Sequence, residues 1–220
     1  MLNIFILLIT IFGIWTIKFI LPPIIKRIRG NKLPEGSIIV NRNAPINNKQ
    51  IPGGRLSQIA VSFGIGFSYF ILIDLVFHLI FGFSDYNLIF IIDLPIWVNW
   101  IGIIGMWVLG VWVTMAFIYN VNYTPCTSQM KEEKYVLATG GPYKYIRHPA
   151  YIAGVFENLF IFLATGVWLI FFGLIGFLAL PYQAREEEKM LREMFGEIYD
   201  NYTSKTGRFF PKIWKENKNG

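Results

Sequence analysis

Four stretches of this chain are too long and too apolar to be anything but membrane-embedded helix: Met1–Leu21, Ser57–Phe83, Pro95–Tyr119 and Ala150–Pro181. A helix rises 1.5 Å per residue, so about 20 apolar residues cross the hydrocarbon core. The last stretch holds 32 residues, with a break at Ala164-Thr165-Gly166. That is too long for one span and predicts a tight helical hairpin, giving five spans. Composition agrees. Charged residues make up 15% of the chain, against about 25% in a soluble domain. The expected fold is all-α, a polytopic integral membrane protein of about five transmembrane helices with a C-terminal hairpin. At 220 residues it forms one domain, 1–220.

Basic residues orient the spans. Seven Lys and Arg fall in 22–56, four in 120–149 and eight in 183–220, and Lys18 completes the 20. The loop 82–94, which contains Asp85 and Asp93, and the hairpin tip carry none. Five spans with the N-terminus outside put every basic loop on the cytoplasmic face. No basic residue precedes the first apolar run, and Lys18, Lys26, Arg27, Arg29 and Lys32 follow it. It therefore reads as a retained span and not as a signal peptide. The net charge of +6 is explained by these flanks and requires no nucleic acid. Cys126 is the single cysteine, which allows no intrachain disulfide or zinc cluster, and no metal is expected. The linker Gly30–Leu56, rich in Asn, Pro and Gly, is expected to be irregular. In the second span Ala60, Gly64 and Ser68 recur at every fourth position and invite close approach of a neighbouring helix.

The polar segment Gly140–Tyr151, G-G-P-Y-K-Y-I-R-H-P-A-Y, precedes the hairpin and is the predicted site. Gly-Gly-Pro breaks an incoming helix, and His148 before Pro149 makes a second break. Arg185–Phe195 (R-E-E-E-K-M-L-R-E-M-F) is predicted to be a charged amphipathic helix on the cytoplasmic side. The motif and this helix flank the two ends of one hairpin, so they can meet.

Together these segments resemble the isoprenylcysteine carboxyl methyltransferase family and its membrane phospholipid and thiol methyltransferase relatives. The family pattern is roughly G-x-Y-x-x-x-R-H-P-x-Y, an apolar hairpin, then E-E-x-x-L-x-x-x-F-G-x-x-Y-x-x-Y and a final proline. It stands here as Gly141, Tyr143, Arg147, His148, Pro149 and Tyr151, then Glu187, Glu188, Leu191, Phe195, Gly196, Tyr199, Tyr202 and Pro211. The resemblance covers about the last 90 residues. It makes 120–220 a cofactor-binding methyltransferase core behind spans one to three (1–119).

The resemblance implies an S-adenosylmethionine-dependent enzyme acting at the cytoplasmic membrane face on a lipid-like or prenylated acceptor. Its cofactor residues carry over to Tyr135, Val136, Leu137, Ala138, Tyr143, Arg147, His148, Pro149, Ala150, Tyr151 and Glu187. Gln129 lies near a family cofactor glutamine, one residue out of register. Of Gln183 and Arg185, the latter is taken as the family's substrate-engaging arginine, with Glu187 as its catalytic companion. The chemistry is compatible. Arg147 or His148 can pair with the cofactor carboxylate, although a buried arginine equally serves to brace the loop. The faces of Tyr143 and Tyr151 attract a sulfonium, and Glu187 can accept from a ribose or amino group. An amine acceptor would give up its proton to His148 or Glu187.

Other polar residues within the spans have plainer readings. Asp74 and His78 are four apart and are expected to satisfy each other, although intramembrane ionisable groups are functional candidates. Glu157 and Asn158 either line an acceptor route or bond across helices. Two other functions fit the topology. An NADPH-dependent sterol-type reductase has a similar C-terminal layout, but its pattern calls for R-H-x-N-Y-x-G-D where this chain has Pro149-Ala150-Tyr151. A non-catalytic membrane scaffold gives no reason for both polar half-motifs.

Overall fold

The structure, a computed structural model, describes residues 3–41, 54–81, 91–121 and 134–212. Gln129, Cys126 and Asp85 lie outside the described residues. Among the described residues four helices are long and apolar enough to cross a membrane: α1 (Ile4–Arg29), α2 (Gly54–Phe81), α3 (Ile96–Tyr119) and α5 (Trp168–Phe195). A shorter apolar helix, α4 (Pro149–Thr165), completes the bundle. At 17 residues it reaches roughly 25 Å. The expected helical, polytopic membrane fold therefore holds, with one small sheet added to it.

The predicted hairpin is α4 and α5. Gly166 takes the left-handed conformation at the C-terminus of α4 (φ 76°, ψ 0°), which costs glycine nothing. Its carbonyl accepts from the Ile92 amide at 2.9 Å, which ties the hairpin tip to the segment entering α3. The second arm extends further than predicted. After a turn at Leu178-Ala179 within α5, Pro181 sits in the first turn of the stretch Leu180–Phe195, which runs unbroken and where its missing N–H removes no bond. The charged Arg185–Phe195 segment is thus the continuation of α5 and not a separate element. A short helix, α6 (Glu197–Lys205), follows it.

The stripe Ala60, Gly64, Ser68 does receive a neighbour. It packs on Gly173 and Gly176 of α5, where a Cβ added at Gly176 would lie 2.1 Å from the Ala60 carbonyl oxygen. Ser68 donates to Oδ1 of Asn158 in α4 at 2.7 Å. A Gly176→Ala substitution should force α2 and α5 apart and cost about 1–3 kcal/mol, measurable as a lowered Tm in detergent; an unchanged Tm would refute the close approach. Elsewhere Leu7, Ile11, Leu72, Ile103, Met106 and Ile161 fill the bundle centre, while Phe5, Ile9, Ile59, Phe70, Ile104 and Val108 lie on outer faces. Such apolar exteriors suit lipid.

The linker departs from expectation. Ser37–Asn41 (β1) pairs antiparallel with Lys134–Ala138 (β2), Ser37 opposite Ala138. This pairing joins segments nearly 100 residues apart, so no local pattern announces it.

Lys18 also departs from expectation. Sequence reading places it with the basic flank, but it is only 5% exposed and lies in a π-helical turn of α1, Thr16–Ile20. Its ammonium donates to both Glu157 oxygens (2.7 and 2.9 Å) and to the Tyr69 hydroxyl (3.2 Å). The widened turn frees backbone carbonyls, and Thr114 of α3 donates to that of Ile17. Glu157 and Asn158 therefore bond across helices. Asp74 is exposed on α2 and His78 half-buried.

Candidate binding cleft at the basic end of the bundle

The ends of α1, α3, α4 and α5 that carry the basic residues lie together. Arg29 donates to the Ile118 carbonyl (3.1 Å) and Lys26 to that of Asn120 (3.4 Å), fastening the end of α1 to the end of α3. Beneath them the β-strands pack on the end of α5 and on α6 through Leu137, Leu191, Phe195 and Tyr199.

The motif forms as its breakers require. Gly141–Lys144 is a single 3₁₀ turn with Pro142 in its first positions. His148 occupies the N-cap position of α4, and Pro149 is the first helical residue. The C-terminal tail straps this turn in parallel: Gly207 N–H donates to the Tyr145 carbonyl, Arg147 N–H to Gly207 and His148 N–H to Arg208.

Between these elements lies a cleft of about 590 Å³, its open mouth included. Val136, Leu137 and Ala138 of β2 line it with Tyr143, Arg147, His148, Pro149, Ala150, Tyr151 and Glu187. These are residues the sequence singled out. Tyr135 belongs to β2, but its side chain is not described. Arg185 is exposed and does not line the cleft, while Gln183 is buried. Asn120, Leu191, Tyr199 and Tyr202 also line it and were not assigned to the site from sequence. Both tyrosines stand in the quoted pattern, so the signal was present.

Two adjacent glutamates divide the polar work. Glu188 is a buried hub. Its Oε1 accepts from Arg147 Nε (2.9 Å) and Arg208 Nε (2.9 Å) and lies 3.2 Å from His148 Nε2. Its Oε2 accepts from Arg208 Nη2 at 2.7 Å. Glu187 is partly open, and its Oε2 accepts from the Tyr151 hydroxyl at 3.0 Å and lies 3.6 Å from His148 Nδ1. The His148 ring therefore spans the two carboxylates. It also stacks on Tyr151, with centroids 5.1 Å apart and planes 20° apart, and Phe209 of the tail lies 5.8 Å away.

Arg147 lines the cleft, but its Nε and Nη1 are committed elsewhere. They hold Glu188 and the carbonyls of Thr203 and Thr206. Bracing, the alternative use for a buried arginine, is what the geometry shows. Tyr202 donates to the Tyr143 carbonyl at 2.7 Å. The Tyr199 hydroxyl is buried and has no hydrogen-bond partner among the described residues. Burial, seconded by the Glu188 carboxylate, pushes this phenol above its usual range, and burial does the same to Tyr202. Both are neutral donors. An orphaned buried hydroxyl is costly unless something accepts from it.

Residues 97–198 match the family model of phospholipid methyltransferase. That span encloses every cleft residue named above except Tyr199 and Tyr202. A stretch of 94 residues is 28% identical to protein-S-isoprenylcysteine O-methyltransferase of Dictyostelium discoideum, covering 42% of this chain and 40% of that protein. The chain thus matches about two fifths of that relative's length. Both matches support the resemblance that the sequence motifs carry.

Proposed function

We propose, from the methyltransferase match over residues 97–198 and the cleft those residues line, that this chain transfers a methyl group from S-adenosylmethionine to a lipid-like or prenylated acceptor. The observation that carries the reading is the meeting of the two half-motifs. Tyr151 of α4 and Glu187 of α5, 36 residues apart, bond at 3.0 Å across one cleft. Gathering of the described basic residues Lys26, Arg29, Arg147 and Arg208 at one end of the bundle supports a cytoplasmic cleft.

The residues present suit this cofactor. The partnerless Tyr199 hydroxyl is a donor available to a carboxylate or ribose oxygen. Glu187, with room at its carboxylate, can accept from a hydroxyl or an ammonium, and the Tyr143 and Tyr151 rings offer π-faces to a soft cation. When bound, S-adenosylmethionine supplies an already activated methyl group on a sulfonium centre. The chain's task is then alignment and exclusion of water. Leu137, Pro149 and Leu191 give the cleft apolar walls, and the Glu188 hub fixes the His148 ring. For an amine acceptor, Glu187 or His148 takes the proton lost from nitrogen. Arg185, which the resemblance assigns to the acceptor, is exposed and stands outside the cleft.

Calorimetry of detergent-purified protein with S-adenosylmethionine, and separately NADPH, tests the reading. Glu187→Gln should weaken S-adenosylmethionine binding by about tenfold to a hundredfold, the worth of a charged hydrogen bond, with Tm nearly unchanged. Binding of NADPH alone would move the chain to the reductases. Binding of neither by a folded sample would leave the scaffold.

A further inference from the structure

A second cavity lies across the Gly140–Tyr145 turn from the cleft, and the two share no lining residue. It is a groove of about 1650 Å³, open side included, down the outer face of α3. Trp107, Val108, Val111, Trp112 and Met115 form its wall. These residues follow one helix face for about 12 Å, close to the hydrocarbon depth of one leaflet. At the basic end of the bundle the groove closes on a polar rim of Glu35, Gly36, Thr139 and Lys144. The rim is built firmly, because Thr139 donates to the Gly36 carbonyl through both its N–H (3.0 Å) and its hydroxyl (2.6 Å). Beyond the rim, Thr139 and Lys144 also line a third cavity, which Lys205 of α6 shares.

An apolar wall alone selects nothing in a bilayer, where lipid tails are as apolar as leucine. What distinguishes this groove is that it ends at a lysine, Lys144, which also lines the adjoining cavity that holds Lys205. We propose that it holds one phospholipid with an anionic head group, its chain along α3 and its phosphate at Lys144, with the head group directed toward Lys205. Glu35, the carboxylate of the same rim, repels the phosphate and so favours a head group directed toward the lysines. The bound lipid braces from behind the turn that presents Tyr143 to the cleft. This proposal does not depend on methyl transfer.

The test is native mass spectrometry of the full chain released from nanodiscs of mixed phosphatidylglycerol and phosphatidylcholine. One phosphatidylglycerol should stay bound per chain. Val111→Trp fills the groove without touching the cleft and should abolish retention; Val108→Trp serves if that variant does not fold, both positions being exposed. Lys144→Gln and Lys205→Gln should each reduce retention roughly fivefold, the effect of about 1 kcal/mol per basic residue near an anionic surface. Together they should erase the preference over phosphatidylcholine. Absence of retained lipid on folded wild type, equal retention of the two lipids, or full retention by the folded tryptophan variant would each overturn the proposal.

Discussion

Replacing Glu188 by alanine should cost about 3–5 kcal/mol, the usual effect of breaking a buried ion pair from one side. Its carboxylate answers Arg147, Arg208 and His148 together. Arg147 is itself largely enclosed, with 11% of its side chain exposed, so removing the carboxylate leaves its guanidinium with the carbonyls of Thr203 and Thr206. Arg208 would lose its bidentate hold, releasing the strap that meets Tyr145, Arg147 and His148. Glu188→Gln should recover part of the loss, because an amide can still accept from one arginine but carries no charge. Thermal unfolding in detergent measures the stability, and limited proteolysis reports the freed tail. The contrast with Glu187, one residue earlier, makes the expectation sharp. That variant should lose ligand affinity at nearly unchanged Tm, whereas Glu188→Ala should lose Tm first. Similar Tm values for the two would show that the hub does not hold the fold.

The second large effect is expected inside the bundle. Glu157→Ala would leave the Lys18 ammonium, almost fully buried among apolar helices, with only the Tyr69 hydroxyl. Lys18→Ala would leave the Glu157 carboxylate, 21% exposed, without its cation. Each should cost about 3 kcal/mol or more. Replacing both together by apolar residues of similar size, Lys18→Met with Glu157→Leu, should restore most of that loss, since no uncompensated charge remains. A double-mutant cycle on Tm separates the cases. Additive losses would mean that the two side chains do not act as a pair.

The sequence was most legible where physics is local. Hydrophobic run length found the spans, Gly166 marked the hairpin tip, and the Gly-Gly-Pro and His-Pro breaks set the limits of the motif. Within the cleft, the quoted pattern supplied Tyr143, His148, Tyr151 and Glu187 before any contact was known. Sequence was least legible where partners are distant. Lys18 looks like a flanking charge because nothing near it in the chain betrays Glu157, 139 residues away. Arg208 lies outside every motif segment, yet it holds the hub.

Sequence by itself therefore determined the solvent of this protein, its helices and the end of the bundle that carries the site, because these follow from apolar length, backbone breakers and charge asymmetry. Only the tertiary structure decided which glutamate braces and which faces the cleft, that Arg147 is spent on the brace, and that β2, paired with the distant β1, walls the cleft. Glu187 and Glu188 are identical in type and adjacent in sequence. On a helix they point about 100° apart, and what each meets depends on neighbours that the fold alone brings there.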